Sequence, residues 1–251
     1  MPSGAATPPK PSPVLTDHDA IVVHDAFLAF RAGNVTRALD LAATAHDKLP
    51  LKLMRFLDYV RPASGAKFDD VVAFMEQNPD WPQQIVLRHR AEEAIAGVPD
   101  DTLRDWFKKY PPITPYAQLR EADIIAASGD TAAAQARVRQ IWVNGDFNAS
   151  DERAVLARYP DILRDEDHAR RLDRLLWDGQ AEAADRMLTR VSPDVRALDT
   201  ARLKLAIQAR NAESFLAAVP PALRNDPGLL FERMRFYRKT DQDEAALAIL
   251  N

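Results

Sequence analysis

Prolines divide this chain into short segments, and this spacing limits the length of any helix that the chain can form. Thirteen prolines after residue 13 bound segments of about 10 to 40 residues that are rich in Ala, Leu, Arg and Glu. These residues are strong helix formers, whereas proline ends a helix or opens its first turn. Apolar residues recur at helical spacing, as in Ala134, Val138, Ile141 and Trp142 at i, i+4, i+7 and i+8. Alternating strand patterns are absent, so we predict an all-α protein.

Glycines add a period to this pattern. Four of them lie 32 residues apart, at Gly33, Gly65, Gly97 and Gly129, and each interval has room for two short helices. A small residue follows the turn by five positions in four places: Ala38 after Gly33, Ala134 after Gly129, Ala184 after Gly179, and Ala246 after Asp241. Glycine adopts the left-handed conformation that ends many helices, and alanine lets the next helix pack closely. The spacing predicts helix hairpins of tetratricopeptide-like size.

The predicted architecture is an irregular, right-handed α-superhelix of helix hairpins. The expected hairpins are 17–48, 51–79, 80–110, 114–146, 148–163 (a hairpin or a single helix), 165–192, 194–224 and 227–251. Each would bury one face on its neighbours, so residues 17–251 are expected to form one domain. Residues 1–16 are a proline-rich segment that we expect to be disordered. The last amphipathic pattern stops at Asn251, so we expect the domain to be truncated at its C-terminal end.

Three sites carry signals for the start of a helix. Thr114 precedes Pro115, and proline suits the first helical position. Asp80 with Gln83 resembles a capping box, in which each side chain bonds the backbone of the other residue. Asp100 is placed to cap a helix that runs to Tyr110.

Composition excludes several classes of function. The 33 Lys and Arg residues against 37 Asp and Glu give a net charge of −4, which argues against a nucleic-acid partner. The absence of cysteine excludes disulfides, thiol nucleophiles and cysteine-ligated zinc. The glycines are too far apart for a phosphate-binding loop. No stretch approaches the roughly 18 to 20 apolar residues of a transmembrane helix, and Met1–Pro13 lacks the apolar core of a signal peptide.

Histidines and acidic residues show no pattern typical of a metal or catalytic site. The five histidines (His18, His24, His46, His89 and His168) contain no i, i+4 pair. The densest group is Asp17, His18, Asp19, His24 and Asp25, which we interpret as the acidic start of a helix. None of the acidic residues lies in an apolar context that indicates a raised pKa. We therefore predict no catalytic residue, no metal and no cofactor within the chain.

Arginines on helix faces are the candidates for ligand binding. Arg88, Arg90, Arg171 and Arg174 would contact anionic groups, such as peptide carboxylates, if they lined a concave surface. Solvated helix faces are the alternative interpretation. The four tryptophans (Trp81, Trp106, Trp142 and Trp177) are spread along the hairpins, which favours core packing over a row of sugar-stacking rings.

Several motifs follow one another in order through residues 50–251. They are Asn78-Pro79-Asp80-Trp81-Pro82, Leu87-Arg88-His89-Arg90-Ala91-Glu92, Trp106-Phe107, Tyr110-Pro111-Pro112-Ile113-Thr114-Pro115, Trp142, Gly145-Asp146-Phe147, Asp167-His168 and Arg171-Leu172-Asp173-Arg174-Leu175-Leu176-Trp177-Asp178-Gly179. Together they resemble the N-terminal superhelical region of soluble lytic murein transglycosylases.

The resemblance implies a periplasmic protein that acts on peptidoglycan. In that family a ring- or horseshoe-shaped α-superhelix precedes a C-terminal lysozyme-like domain, whose glutamate cleaves the MurNAc–GlcNAc bond to a 1,6-anhydro product. Glu213-Ser214 matches the opening of the family's catalytic motif, but Gly-Leu-Met-Gln does not follow, so no catalytic residue carries over. We expect this chain to hold glycan strands for such a catalytic domain. The alternative is a tetratricopeptide-like scaffold that binds a protein or peptide.

Overall fold

The computed structural model describes residues 15–249, which are all-helical and contain no β-strand. The prediction of an all-α protein is confirmed, whereas the superhelical arrangement stays a prediction. Most of the predicted disordered segment 1–16, and the chain end at Asn251, lie outside the described residues. Among residues 15–249, none of the helices combines the length and the apolar character that crossing a bilayer requires.

The chain divides into two compact units, one up to Pro99 and one from Asp100. The N-terminal unit contains α1 (Asp17–Arg31), α2 (Val35–Ala43), α3 (Leu49–Val60), α4 (Phe68–Gln77) and α5 (Gln84–Glu93). The C-terminal unit contains α6 (Asp100–Lys109), α7 (Pro115–Ala127), α8 (Thr131–Asn144), α9 (Ala149–Arg158), α10 (Asp165–Trp177), α11 (Ala181–Met187), α12 (Pro193–Ala206), α13 (Ala212–Leu216), α14 (Pro227–Lys239) and α15 (Asp243–Leu247). Two short 3-10 turns, Leu188–Arg190 and Pro221–Leu223, follow α11 and α13.

Consecutive helices pack in pairs at most of the predicted hairpins. The pairs are α1 with α2, α7 with α8, α10 with α11, α12 with α13, and α14 with α15. Segment 148–163 forms the single helix α9. Segment 51–79 is the least regular of the predicted hairpins. Phe74 of α4 contacts Phe56 and Tyr59 of α3, with ring centroids 6.2 and 5.5 Å apart, but α4 packs mainly on α5 and α3 mainly on α1, α2 and α5. The predicted pair 80–110 is divided, since α5 ends the first unit and α6 begins the second.

The turns of these hairpins follow the local rule that the sequence indicated. Gly33 has φ +81°, and the next N–H, from Asn34, donates to the carbonyl of Ala29 at 2.9 Å. Asp241 has φ +57° and is followed by the same bond, from the Gln242 N–H to the Tyr237 carbonyl at 2.9 Å. This bond is the Schellman closure of a helix end. The four small residues predicted to pack in the following helices are all buried, namely Ala38, Ala134, Ala184 and Ala246.

The structure confirms some of the predicted helix starts and not others. The Thr114 hydroxyl accepts the Ala117 N–H at 3.2 Å, and Pro115 opens α7 as predicted. Asp100 is the first residue of α6, one position inside the predicted cap. The capping box at Asp80 is wrong, since α5 begins only at Gln84. Pro82 disfavours helical backbone at the preceding residue, Trp81, which contributes to the later start.

Candidate functional site

Two aromatic side chains from different helices meet at the surface of the C-terminal unit. Trp177 ends α10 and is 50% exposed, and Phe231 lies in the second turn of α14 and is 40% exposed. Their ring centroids are 5.2 Å apart with an interplanar angle of 41°. Helix α12 packs against both α10 and α14. We call Trp177 and Phe231 the aromatic platform; core packing of Trp177, predicted from the sequence, is wrong.

A buried arginine lies beside the aromatic platform. Arg202 of α12 is only 3% exposed, and its guanidinium carbon lies 5.6 Å from the Trp177 ring centroid. Its Nη1 donates to the Asp173 carboxylate at 2.7 Å and to the Asp199 carboxylate at 3.0 Å. A guanidinium at this distance from an indole contributes a cation–π attraction, which is strengthened by its removal from water. Arg202 therefore connects the platform to two carboxylates.

Gly228 in the first turn of α14 makes room for this guanidinium. A Cβ atom at that position would lie 2.3 Å from the Cζ and Nη2 atoms of Arg202. Any other residue would therefore push the guanidinium away from its place. The requirement for glycine here is steric, because nothing in the backbone of this helical turn demands it.

Two acidic groups in the same region are buried. Asp199 is 2% exposed, and burial raises its pKa to about 6 although Arg202 acts in the opposite direction. Burial also raises the pKa of Glu232, with a partial offset from Arg235, whose Nη1 lies 3.3 Å from the carboxylate. The prediction that none of the acidic residues has a raised pKa is therefore wrong. Asp199 lies three residues before Arg202 in a run with buried Leu198 and Ala201, and that pattern could have indicated it.

The predicted ligand-binding arginines of α10 have protein partners. Arg171 is fully buried and donates through Nη1 to the carbonyls of Trp142 at 2.6 Å and Gly145 at 2.7 Å. Burial lowers its pKa to about 10, so it remains charged at neutral pH. Arg174 donates to the Val143 carbonyl at 2.8 Å. These bonds satisfy carbonyls at the C-terminal end of α8 that the helix itself leaves unpaired. Ligand binding by Arg171 and Arg174 stays a prediction. A ligand would have to compete with these carbonyls for the two guanidinium groups.

The other two predicted arginines belong to the N-terminal unit. Arg88 and Arg90 are both partly buried on α5. Nη1 of Arg90 donates to both oxygens of Glu93, at 2.6 and 2.7 Å. The structure thus brings Arg171 and Arg174 together at one helix end, whereas Arg88 and Arg90 share α5.

The remaining tryptophans lie inside their units. Trp142 is fully buried, and its Nε1 donates to His168 Nδ1 at 3.1 Å. Trp106 is buried on α6, and Trp81 is partly buried. Core packing is therefore confirmed for Trp106 and Trp142.

Depressions in the described part of the surface are open grooves. Two of them are open to solvent: one is lined by Asn34, Arg37 and Asp40 and the other by Arg224, Leu229 and Arg233. Glu213 is exposed on the short helix α13. Comparisons of the chain with family models, curated proteins and solved structures give no match. The aromatic platform with its buried arginine is therefore the arrangement with the clearest binding chemistry in the described residues.

Proposed function

We propose that this chain is the non-catalytic, superhelical part of a periplasmic soluble lytic transglycosylase. In this role it binds peptidoglycan glycan strands for a C-terminal domain that cleaves MurNAc–GlcNAc bonds to 1,6-anhydro products. The ordered motifs of residues 50–251 suggest the family. The observation that carries the binding role is the exposed contact between Trp177 and Phe231.

The chemistry of the aromatic platform suits a sugar. A pyranose ring has one face of C–H groups, which packs on an aromatic ring, and a rim of hydroxyls that need hydrogen-bond partners. Indole and phenyl rings supply large apolar area at low conformational cost. Asp173, which is 54% exposed at its side chain, offers acceptors for hydroxyls next to Trp177. Single exposed apolar residues are normal on a protein surface, whereas contiguous exposed apolar area with polar groups at its rim marks interaction sites, and the two rings in contact beside Asp173 are an arrangement of this kind.

Retention on purified murein sacculi tests this role. The wild-type chain is expected to sediment with sacculi, and the Trp177→Ala/Phe231→Ala double variant should bind at least tenfold more weakly, a difference of about 1.4 kcal/mol. Tyr116→Ala is the matched control, because Tyr116 is a similarly exposed aromatic residue on α7. Circular dichroism should show that all three chains are equally helical.

Two outcomes would contradict the glycan-binding role. One is a wild-type chain that stays in solution, and the other is a double variant that sediments as well as the wild type. The proposal also places cleavage in another domain, so release of anhydromuropeptides by this chain alone would refute the non-catalytic assignment.

The alternative is a scaffold that binds a protein or peptide. The packing of consecutive helices in pairs, such as α1 with α2 and α7 with α8, favours it, because helix-hairpin modules commonly use their grooves for such ligands. A scaffold of this kind should not be retained on sacculi. The same sedimentation experiment therefore separates the two functions.

A further inference from the structure

Three side chains able to bind a metal ion converge in the N-terminal unit. His18 and Asp19 lie in the first turn of α1, and His46 lies in the connection between α2 and α3. One ligand atom from each lies within 4.8 Å of the others. The two imidazole rings are in edge contact, with centroids 4.9 Å apart. In the sequence, His18 and Asp19 lie close to His24. In the structure, the second histidine beside them is His46, which comes from a separate segment.

Asp19 is the fixed member of this group. It is 1% exposed, its Oδ1 accepts the His46 N–H at 2.8 Å, and its Oδ2 accepts the Asp47 N–H at 3.1 Å. Burial and these two N–H bonds hold the carboxylate in one place. A carboxylate has about four acceptor sites, two on each oxygen, so Oδ2, which accepts one N–H here, retains capacity for a further ligand.

The two histidines are the adjustable members. His46 has a side chain that is 76% exposed, and His18 is also exposed, so both rings can turn without disturbing the core. The His46 backbone is nevertheless anchored by Asp19, and its Nδ1 lies 3.3 Å from Asp19 Oδ1. The pair of rings is thus kept adjacent at the surface beside a buried negative charge.

We propose that His18, Asp19 and His46 bind one divalent transition-metal ion, of which Zn²⁺ is the best match. Two imidazoles and one carboxylate are an established donor set for zinc, at distances of about 2.0–2.2 Å. Small rotations of the two exposed rings would bring the donors from 4.8 Å to the separation that such bonds require. Water completes the coordination on the exposed side. The ion would join the start of α1 to the α2–α3 connection, and this inference is independent of the proposed function.

Calorimetric titration of the full chain with zinc chloride tests the site. The protein must carry no histidine tag. The wild type is expected to bind one ion per chain, whereas His18→Gln and His46→Gln should each bind at least tenfold more weakly. His24→Gln is the matched control, because His24 is an exposed residue of the same helix whose ring lies beside Asp25 instead. It should bind zinc as the wild type does.

Two further measurements identify the ligands and check the fold. Cobalt substituted for zinc should give visible absorption bands whose intensity reports the coordination number and geometry of the ion, and these bands should weaken in His46→Gln, where water replaces a protein ligand. At a fixed excess of zinc, the melting temperature of the wild type and of His24→Gln should rise more than that of His46→Gln, since tighter binding to the folded state stabilises it more. Absence of zinc binding by the wild type, or equal affinity in His18→Gln, His46→Gln and the wild type, would overturn the proposal.

Discussion

The contact between Gly228 and Arg202 gives a sharp test of how the candidate site is built. A Cβ at position 228 would lie 2.3 Å from the guanidinium carbon, whereas ordinary van der Waals contact begins at 3.4 Å. In Gly228→Ala the guanidinium must therefore move by roughly 1 Å or more. That movement breaks or weakens its bonds to Asp173 and Asp199, which are 2.7 and 3.0 Å long in the wild type.

Two opposing effects decide the stability of this variant. Alanine is favoured over glycine within a helix by about 0.5–1 kcal/mol. Loss of one hydrogen bond between charged groups costs about 1.5–3 kcal/mol. The steric effect is larger, so we expect the free energy of unfolding to fall by about 1–2 kcal/mol, which corresponds to a decrease in melting temperature of roughly 2–8 °C.

A double-mutant cycle with Arg202→Met isolates the contact. Urea unfolding should show that Gly228→Ala is destabilising in the wild-type background and neutral or stabilising in the Arg202→Met background, because the methionine carries no guanidinium to displace. Tryptophan fluorescence should also change in the single variant, since Arg202 lies next to the Trp177 ring. The reasoning is refuted if Gly228→Ala is more stable than the wild type, or if its cost is the same in both backgrounds.

Two further predictions concern the same unit. Asp199→Asn removes a carboxyl group whose pKa is raised from 3.8 to about 6, and the folded wild type thus binds that proton more tightly than the unfolded chain does. Relative to the variant, the wild type should therefore lose about 2 kcal/mol of unfolding free energy as pH rises from about 4 to 7, measured by urea unfolding; a difference that is constant with pH would contradict this. Gly129 has φ +99°, so Gly129→Val should cost about 1 kcal/mol or more, whereas Ala126→Val on the exposed face of α7 should cost a few tenths; equal melting temperatures would show that the turn tolerates a side chain.

The helices and most of their pairings were predictable because they follow local rules. The turn at Gly33 needs only a residue that tolerates positive φ, followed by a small residue where the next helix packs. The same rule located the turn at Asp241, where no glycine is present. The main packing partners of α3 and of α4 depend instead on which helices cover their apolar faces. That choice is made by tertiary packing, so helical spacing alone could not indicate it.

The candidate site was less predictable because residues of one type have different surroundings. Trp142 is fully buried and Trp177 is half exposed, although both lie in the last turn of an amphipathic helix. The difference arises from the helices packed on each ring. The burial of Arg171 and Arg202 could not be predicted from the sequence either, because their partners include residues up to 29 positions earlier in the chain. Burial of Asp199 follows from the same long-range packing.

The arginine that closes the end of α8 also affects how this part of the molecule opens. Arg171 can leave its carbonyl partners only if α10 moves away from α8, and its charge lies 3.9 Å from the buried Glu152 of α9. Fraying of one helix alone would leave this charge in an apolar environment without compensation, which is costly. We therefore expect opening of the terminal turn of α8 to be coupled to movement of α9 and α10, which makes that turn more resistant to local opening than an ordinary helix end.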